Sequence, residues 1–217
     1  FWLTYPELIK LAGGNCVYVQ TLKENGYKMT AEQFEKTITS KTKCLILNSP
    51  NNPTGAVYSK DEICAIAKVA EEKGIYVISD EIYEKLVYEN EEHYSIAQYS
   101  PKMKDLTVII NGVSKTYAMT GWRIGYLAAP KNIASAISSM QSHTTSNACS
   151  ISQYASVTAL SDSKGEEFIC QMQNVFDERR KLMIEKLSEI DGIVCIEPKG
   201  AFYVFVNVYQ LYGKKFD

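Results

Sequence analysis

The chain has 217 residues and a mass of 24.4 kDa, which suits one large domain or one domain with part of a second. With 46% hydrophobic and 22% charged residues it can bury a core, and this excludes a wholly disordered chain. Its formal net charge is -2, from 23 basic and 25 acidic residues, so neither nucleic acid nor an anionic membrane is indicated as a partner.

Strand-like and helix-like stretches alternate along the chain, as in an α/β fold with a mainly parallel sheet. Two capping boxes, Thr30 with Gln33 and Ser59 with Glu62, predict the starts of two helices, and Gly74 is placed to end the second. In chain order, the first half is predicted to contain a strand over residues 16–20, a capped helix to about residue 39, a strand over 43–48, the second capped helix, and strands over 75–79 and 106–111.

The second half is predicted to be mostly helical. A strand over residues 123–128 precedes helices over about 132–141, 147–160 and 164–190, and strands over 194–197 and 202–206 follow. The long third helix is expected to connect the main sheet to the start of a smaller second domain.

Several kinds of site are not expected. No apolar run approaches the roughly 20 residues that span a bilayer. The six cysteines are scattered without a C-x-x-C pair, which favours a cytoplasmic protein with free thiols, and Cys44, Cys64 and Cys195 are predicted to be small buried residues. His93 and His143 lie far apart, with no Cys or His at metal-ligand spacing, so no metal site is expected.

Polar sequences follow three of the predicted strands, and in open α/β sheets ligands bind beyond the carboxyl ends of strands. The first strand runs into the loop over residues 49–55, which by itself could be only a rigid turn. The second ends in Asp80, a carboxylate that must be paired or hydrogen-bonded where water is scarce. An aspartate that only caps a helix would give the same sequence pattern.

The third strand end carries the strongest signal. Lys115 follows an apolar strand and precedes small residues, so we expect it to be partly desolvated, which favours the neutral, nucleophilic amine. Gly112, Gly121 and Gly125 permit close approach of the backbone. Arg123 supplies a guanidinium group suited to phosphate.

One cofactor, pyridoxal 5'-phosphate, needs such groups together: a lysine for a Schiff base, a carboxylate for the pyridine nitrogen, and cationic and hydroxyl groups for the phosphate. The combination predicts that cofactor more strongly than any single residue does. The residues that supply these groups are Lys115, Asp80, Arg123 and Ser114, with Tyr83 and Asn52 available for the phenolic oxygen.

At these residues the sequence resembles the aspartate aminotransferase family, the fold type I pyridoxal-phosphate enzymes of aminotransferase classes I and II. Residues 112–125, GVSKTYAMTGWRIG, are similar to the family's lysine signature, residues 52–55 to its N-P-T-G motif, and residues 80–83 to its D-E-I/V-Y motif. The start of the chain, residues 1–7, resembles the segment whose aromatic ring covers the cofactor, and residues 198–203 resemble a turn of the small domain.

The resemblance implies a fold, an activity and an assembly. The fold is a three-layer αβα large domain with a mainly parallel sheet over residues 1–170, and residues 171–217 begin a small α+β domain. The activity is transfer of an amino group between an amino acid and a 2-oxo acid by a cytoplasmic homodimer. The chain starts at Phe1 rather than at a methionine, and we expect it to be an internal piece of a longer protein that has lost part of the active site and is poorly active or inactive alone.

The resemblance also implies residue roles. Lys115 forms the Schiff base and shuttles a proton, Asp80 keeps the pyridine nitrogen protonated, and Trp2 stacks on the ring. A cis bond is expected at Asn52–Pro53. The other roles are contact with the phenolic oxygen for Tyr83 and Asn52, and contact with the phosphate for Ser114 and Arg123.

Two other functions stay open at this point. Carbon–sulfur lyases on the same fold share the lysine, aspartate and tyrosine, so the reaction could differ while the cofactor stays. Some bacterial transcription regulators carry an aminotransferase-like domain that only senses an effector. The near-neutral charge does not favour the regulator, and the sequence looks more like the aspartate subgroup than like the lyases.

Overall fold

A mainly parallel sheet forms the centre of the computed structural model, which describes residues 1–213. Its four strands lie in the order β1 to β4, the first three parallel and β4 antiparallel to β3, so the predicted α/β class is confirmed. The strands are β1 Cys44–Asn48, β2 Tyr76–Asp80, β3 Thr107–Gly112 and β4 Gly125–Ala128.

Eight α-helices surround or follow this sheet in the described part of the chain. Both predicted capping boxes are present, and Gly74 ends its helix in the left-handed conformation with φ 65°. No helix within residues 1–213 is both long and apolar enough to cross a membrane. The helices are α1 Thr4–Leu11, α2 Ala31–Thr37, α3 Lys60–Lys73, α4 Pro101–Asp105, α5 Val113–Thr116, α6 Lys131–Thr144, α7 Ser150–Ser161 and α8 Ser163–Ser188.

The main core lies where α2 and α3 pack against the sheet. The predicted apolar stripe of α3 is buried, with Ile63 and Ile66 at 1% and 0% exposure. Leu47 of β1 and Val77 of β2 meet this stripe, and Phe34 of α2 belongs to the same cluster. Full burial of each such side chain contributes about 1.5–3 kcal/mol to the free energy of folding. This packing holds in place the strands that carry the site.

A second, two-stranded sheet follows the long helix. Strands β5 Val194–Cys195 and β6 Val206–Asn207 pair antiparallel. β5 covers the first half of the strand predicted over residues 194–197. The strand predicted over 202–206 is wrong except at Val206, because the chain is still in the preceding turn and loop. The turn over residues 198–203 lies between β5 and β6. The backbone of this turn forms hydrogen bonds with the segments that follow β1 and β2, so it joins the second sheet to the first.

Two further sequence predictions are wrong. Residues 16–20 do not form a strand, because their backbone pairs with no strand among the described residues. Val17 and Tyr18 are largely exposed, so the alternating pattern is not packed against a sheet. The cysteines predicted to be buried are not. Cys44 is exposed at the start of edge strand β1, while Cys64 and Cys195 are half-buried, and all six thiols are free.

Candidate active site

The register of the sheet brings the three polar strand ends to one edge. Asn48 of β1 pairs with Asp80 of β2, and Asp80 pairs with Ile110 of β3. The Asn48 side chain reinforces this edge, because its Nδ2 donates to the carbonyl of Asp80 at 3.0 Å and its Oδ1 accepts from the backbone N–H of Asn52 at 2.9 Å. The loop after β1 is therefore tied to the end of β2.

The loop over residues 49–55 is a rigid turn with a defined backbone. Its Asn52–Pro53 bond is cis, as expected, and Ser49–Pro50 is cis as well. Asn51 closes the turn, since its Oδ1 accepts from the hydroxyl of Thr54 at 2.8 Å. The turn directs the Asn52 side chain away from the strand and into contact with a residue far along the chain.

That distant residue is Tyr203, which connects Asn52 to Tyr83. The Tyr203 hydroxyl accepts from Nδ2 of Asn52 at 3.3 Å and lies 2.7 Å from the hydroxyl of Tyr83. Burial, followed by the hydrogen bond with Tyr203, raises the pKa of Tyr83 well above its usual value, so its phenol is neutral at pH 7. Two residues predicted for the same cofactor oxygen thus share one partner.

Lys115 lies beside this group on helix α5, which starts directly after β3. Its Nζ is 5.9 Å from the ring centre of Tyr83 and 5.4 Å from that of Phe202. The side chain is half-buried, as predicted, and no carboxylate within residues 1–213 pairs with it. A lysine that forms no ion pair within the described residues can react with a carbonyl group without first breaking such a pair.

Gly112, at the end of β3, allows the backbone at the start of β4 to pack closely against it. A Cβ atom at this position would lie 2.8 Å from the carbonyl oxygen of Ile124 and 3.1 Å from Cα of Gly125. The backbone of β4 therefore packs directly on the residue that precedes the lysine helix. The expected close approach is thus present at Gly112, and at Gly125 a Cβ atom would lie 3.3 Å from the carbonyl oxygen of Asn111. At Gly121 the expectation is wrong, because no atom lies within 4 Å of an added Cβ.

Asp80 has a partner that the sequence did not suggest. The hydroxyl of Tyr5 donates to Oδ2 of Asp80 at 2.5 Å, and Oδ1 accepts from the backbone N–H of Ile82. Burial and the charge of Asp80 raise the pKa of Tyr5 far above its usual value. The capping interpretation of Asp80 is thus partly right, since one oxygen caps the following turn while the other faces Tyr5.

Three predicted site residues, Trp2, Ser114 and Arg123, make no hydrogen bond with the group of Asn52, Tyr83 and Tyr203. Trp2 is half-exposed and contacts Tyr5 edge to face, with ring centres 5.7 Å apart. Ser114 sits next to Lys115 on α5. Arg123 is exposed, and among the described residues its guanidinium makes one hydrogen bond, to the carbonyl of Thr120 at 2.8 Å.

A buried acid supports the turn after β2 from behind. Glu81 is 3% exposed and accepts hydrogen bonds from Ser79 and Ser95, and its other oxygen lies 3.0 Å from Nε2 of His93. Burial opposes its ionisation, but the bonds from His93 and the two serines outweigh this and hold the pKa of Glu81 below its usual value. A Glu84 oxygen lies within 4.8 Å of these groups. Both Glu81 oxygens already have hydrogen-bond partners, and we assign no metal here.

Sequence reasoning did not assign roles to Tyr5 and Tyr203. Both stand inside stretches that resemble family motifs, at residues 1–7 and 198–203. Their spacing from Asp80 and Asn52, 75 and 151 residues, gives no local pattern that would pair them. Only a search for polar aromatic residues within those stretches could have suggested them.

The donor set fits the cofactor that the sequence predicts. One edge of the sheet holds the Lys115 amine, which has no acidic partner within residues 1–213, a carboxylate with a hydrogen-bonded phenol, and a phenol–amide pair. The exposed guanidinium of Arg123 has donors to spare for a phosphate. These are the groups that a pyridine nitrogen, a phenolic oxygen, an aldehyde carbon and a phosphate require.

Comparison with known proteins identifies the class. The family model "Aminotransferase class I and II" matches residues 1–216, and the chain belongs to this family. It is 49% identical over 210 residues to the aspartate aminotransferase of Geobacillus stearothermophilus and 48% identical to that of Bacillus subtilis (strain 168), with 97% of this chain and 53% of each relative covered. Aspartate aminotransferases of this family depend on pyridoxal phosphate.

Solved structures agree with this assignment. The aspartate aminotransferase from Thermus thermophilus with maleate superposes with a TM-score of 0.94 at 40% identity, covering 98% of this chain and 55% of that one. An aromatic aminotransferase from Pyrococcus horikoshii OT3 superposes with a TM-score of 0.91, also at 40% identity. The chain spans about half the length of the curated relatives it matches.

Proposed function

We propose that the whole protein is a pyridoxal-phosphate-dependent aminotransferase of the aspartate aminotransferase kind, which exchanges an amino group between an amino acid and a 2-oxo acid. The observation that carries this proposal is the half-buried Lys115 amine beside the Tyr83 phenol, at the same sheet edge as the Tyr5–Asp80 pair. The substrates are inferred from what the relatives are named for.

When bound, the cofactor supplies a conjugated ring that accepts the electron pair of the substrate's Cα–H bond. Lys115 holds the cofactor covalently and, once released, moves the proton at the substrate's α carbon. General acid–base help of this type contributes roughly 10²–10⁴-fold to the rate. Asp80, oriented by Tyr5, accepts the hydrogen bond of the pyridine N–H and keeps that nitrogen protonated.

The remaining predicted residues bind and orient. Tyr83 and Asn52 donate to the phenolic oxygen, Ser114 and Arg123 hold the phosphate, and Trp2 covers the ring. The partner that Tyr83 and Asn52 share beside Lys115 supports their role. The Arg123 guanidinium is exposed and makes one hydrogen bond among the described residues, so its other donors can bind a phosphate.

We propose further that residues 1–170 belong to the large cofactor domain and that residues 171–217 begin the small domain. Helix α8 runs without interruption through this division, and the two-stranded sheet follows it. We also propose a homodimer in the cytoplasm. The free thiols support the cytoplasm, and exposed apolar residues of α7, such as Ile151 and Tyr154 at 72% and 78% exposure, support a covered face in the whole assembly.

The experiment is an activity assay on the full-length protein loaded with pyridoxal phosphate. Aspartate and a 2-oxo acid acceptor should give a new 2-oxo acid whose formation depends on the acceptor, and Lys115→Ala should abolish it. Release of ammonia and pyruvate from cysteine without an acceptor would support a carbon–sulfur lyase instead. Cofactor binding without turnover of any common amino acid would overturn the aminotransferase proposal.

A further inference from the structure

Tyr203 belongs to the second half of the chain but reaches the site at the end of the first sheet. Its hydroxyl is the common partner of Asn52 and Tyr83, at 3.3 and 2.7 Å. Its ring also packs edge to face on the ring of Tyr83, with centres 5.8 Å apart. The two residues proposed for the phenolic oxygen are thus held in one arrangement by a third.

The turn that carries Tyr203 is docked by its backbone. The N–H groups of Lys199 and Gly200 both donate to the carbonyl of Gly55 at 2.9 Å, and the N–H of Ala201 donates to the carbonyl of Leu86 at 2.8 Å. The hydroxyl of Tyr88 donates to the carbonyl of Ala201. This turn therefore lies between the loop after β1 and the segment after β2.

The 198–203 turn packs so closely on the loop after β1 that Gly55 and Gly200 cannot be replaced by larger residues without a shift of the backbone. A Cβ atom at Gly55 would lie 2.2 Å from Cβ of Pro198, and one at Gly200 would lie 2.7 Å from Cβ of Pro50. Such packing transmits the position of the 198–203 turn directly to the loop that carries Asn52.

Arg180 of α8 fastens the same turn from the other side. Its side chain is 3% exposed, and its Nη1 donates to Glu197 at 2.5 Å and to the carbonyl of Pro198 at 3.2 Å. Its Nη2 pairs with Glu89 at 2.9 Å, and the guanidinium lies over the ring of Tyr88 at 5.3 Å. A buried guanidinium with this many partners holds α8, the 198–203 turn and the segment after β2 together.

We infer that Tyr203 is a positioning residue of the proposed cofactor site, and that Arg180 acts on the site through it. This inference rests on the proposed function, because the oxygen that Tyr83 and Asn52 would bind is the cofactor's. Tyr203 sets the separation and direction of those two donors, and Arg180 keeps the turn that carries Tyr203 in place. The long helix thus acts on the chemistry without touching it.

The first test uses Tyr203→Phe in the full-length protein, which removes one hydroxyl and keeps the ring. We expect about 3–10-fold weaker binding of pyridoxal phosphate, and a change of about half a pH unit or more in the titration of the loaded protein's visible absorbance band. Tyr209→Phe, at a tyrosine 76% exposed, makes the same chemical change on the surface and should leave both values unchanged.

The second test asks whether Arg180 acts through Tyr203. Arg180→Gln should change the titration of the band in the same direction, and the double variant with Tyr203→Phe should change it no further than Tyr203→Phe alone. Arg179→Gln, its exposed neighbour on α8, is the control. If Arg180→Gln does not fold, Arg180→Lys keeps the charge but cannot reach Glu197, Pro198 and Glu89 at once, and it should give a smaller change of the same sign.

The outcomes separate the two proposals. If the wild-type protein binds no pyridoxal phosphate, the proposed function and this inference both fall. A wild-type protein that binds the cofactor, with Tyr203→Phe matching Tyr209→Phe in affinity and titration, would overturn the inference alone. Additive changes from Arg180→Gln and Tyr203→Phe would reject the role of Arg180 and leave that of Tyr203.

Discussion

The phenol of Tyr5 donates a hydrogen bond of 2.5 Å to the carboxylate of Asp80, across 75 residues of sequence. Asp80 ends a strand inside the sheet, whereas Tyr5 lies on α1, the first helix of the chain. The bond leaves Oδ1 of Asp80 to cap the next turn and fixes the orientation of the carboxyl group.

We therefore expect Tyr5→Phe to weaken binding of pyridoxal phosphate to the full-length protein. A hydrogen bond to a charged group contributes about 1.5–3 kcal/mol, so the dissociation constant should rise by about tenfold or more. Tyr18→Phe makes the same change at an exposed tyrosine and serves as control. A fluorescence titration with the cofactor measures both, and equal affinities would show that Tyr5 does not orient Asp80.

Lys115 should be the residue that holds the cofactor covalently. Borohydride reduction followed by peptide mass spectrometry should place one phosphopyridoxyl group on Lys115 in the wild-type protein. Lys115→Arg keeps the positive charge but offers no primary amine, so the label should disappear. Lys131→Arg, at an exposed lysine, should keep it. Equal labelling of another lysine in the Lys115→Arg variant would contradict the assignment.

Glu81 should stabilise the fold in a pH-dependent way. Its folded-state pKa lies below its usual value, so its contribution is complete above about pH 4.5 and is lost as the pH falls through the lowered folded-state pKa. Glu81→Gln should thus lower the free energy of unfolding at pH 7, and the difference from wild type should shrink toward pH 3. Urea unfolding at several pH values measures this.

His93→Gln is a companion test of the same buried pair. It keeps a polar side chain but removes the imidazole whose Nε2 faces Glu81 at 3.0 Å. Losing one hydrogen bond to a buried carboxylate costs about 1.5–3 kcal/mol, because the desolvated Glu81 oxygen is left without a donor. His143→Gln changes an exposed histidine and should have no effect. Unchanged stability of His93→Gln at pH 7 would show that the serines alone satisfy Glu81.

Gly112 should not tolerate a side chain. The added Cβ of Gly112→Ala would stand 2.8 Å from a backbone oxygen that cannot move without shifting β4. We expect a loss of about 1–3 kcal/mol in unfolding free energy. Gly121→Ala, where no atom lies within 4 Å of the added carbon, should change stability little. Thermal unfolding compares the two, and equal melting temperatures would refute the close packing of β4.

Local sequence determined the elements and most of the site. The capping boxes of Thr30 and Ser59 and the glycine after α3 are short-range chemistry, so they appear where the sequence predicts them. Asn52, Asp80 and Lys115 follow strands of a mainly parallel sheet, and parallel strands bring their carboxyl ends to one edge. Their proximity could therefore be predicted without a structure.

Tertiary structure alone decided the partners of these residues. Tyr5 and Tyr203 reach Asp80, Tyr83 and Asn52 from opposite ends of the chain, through α1 and through a turn fastened by Arg180. The strand predicted at residues 16–20 failed for the same reason, since a strand exists only where a neighbour accepts its hydrogen bonds. Sequence periodicity records which face of an element is apolar, whereas long-range hydrogen bonds depend on how the elements are placed in space.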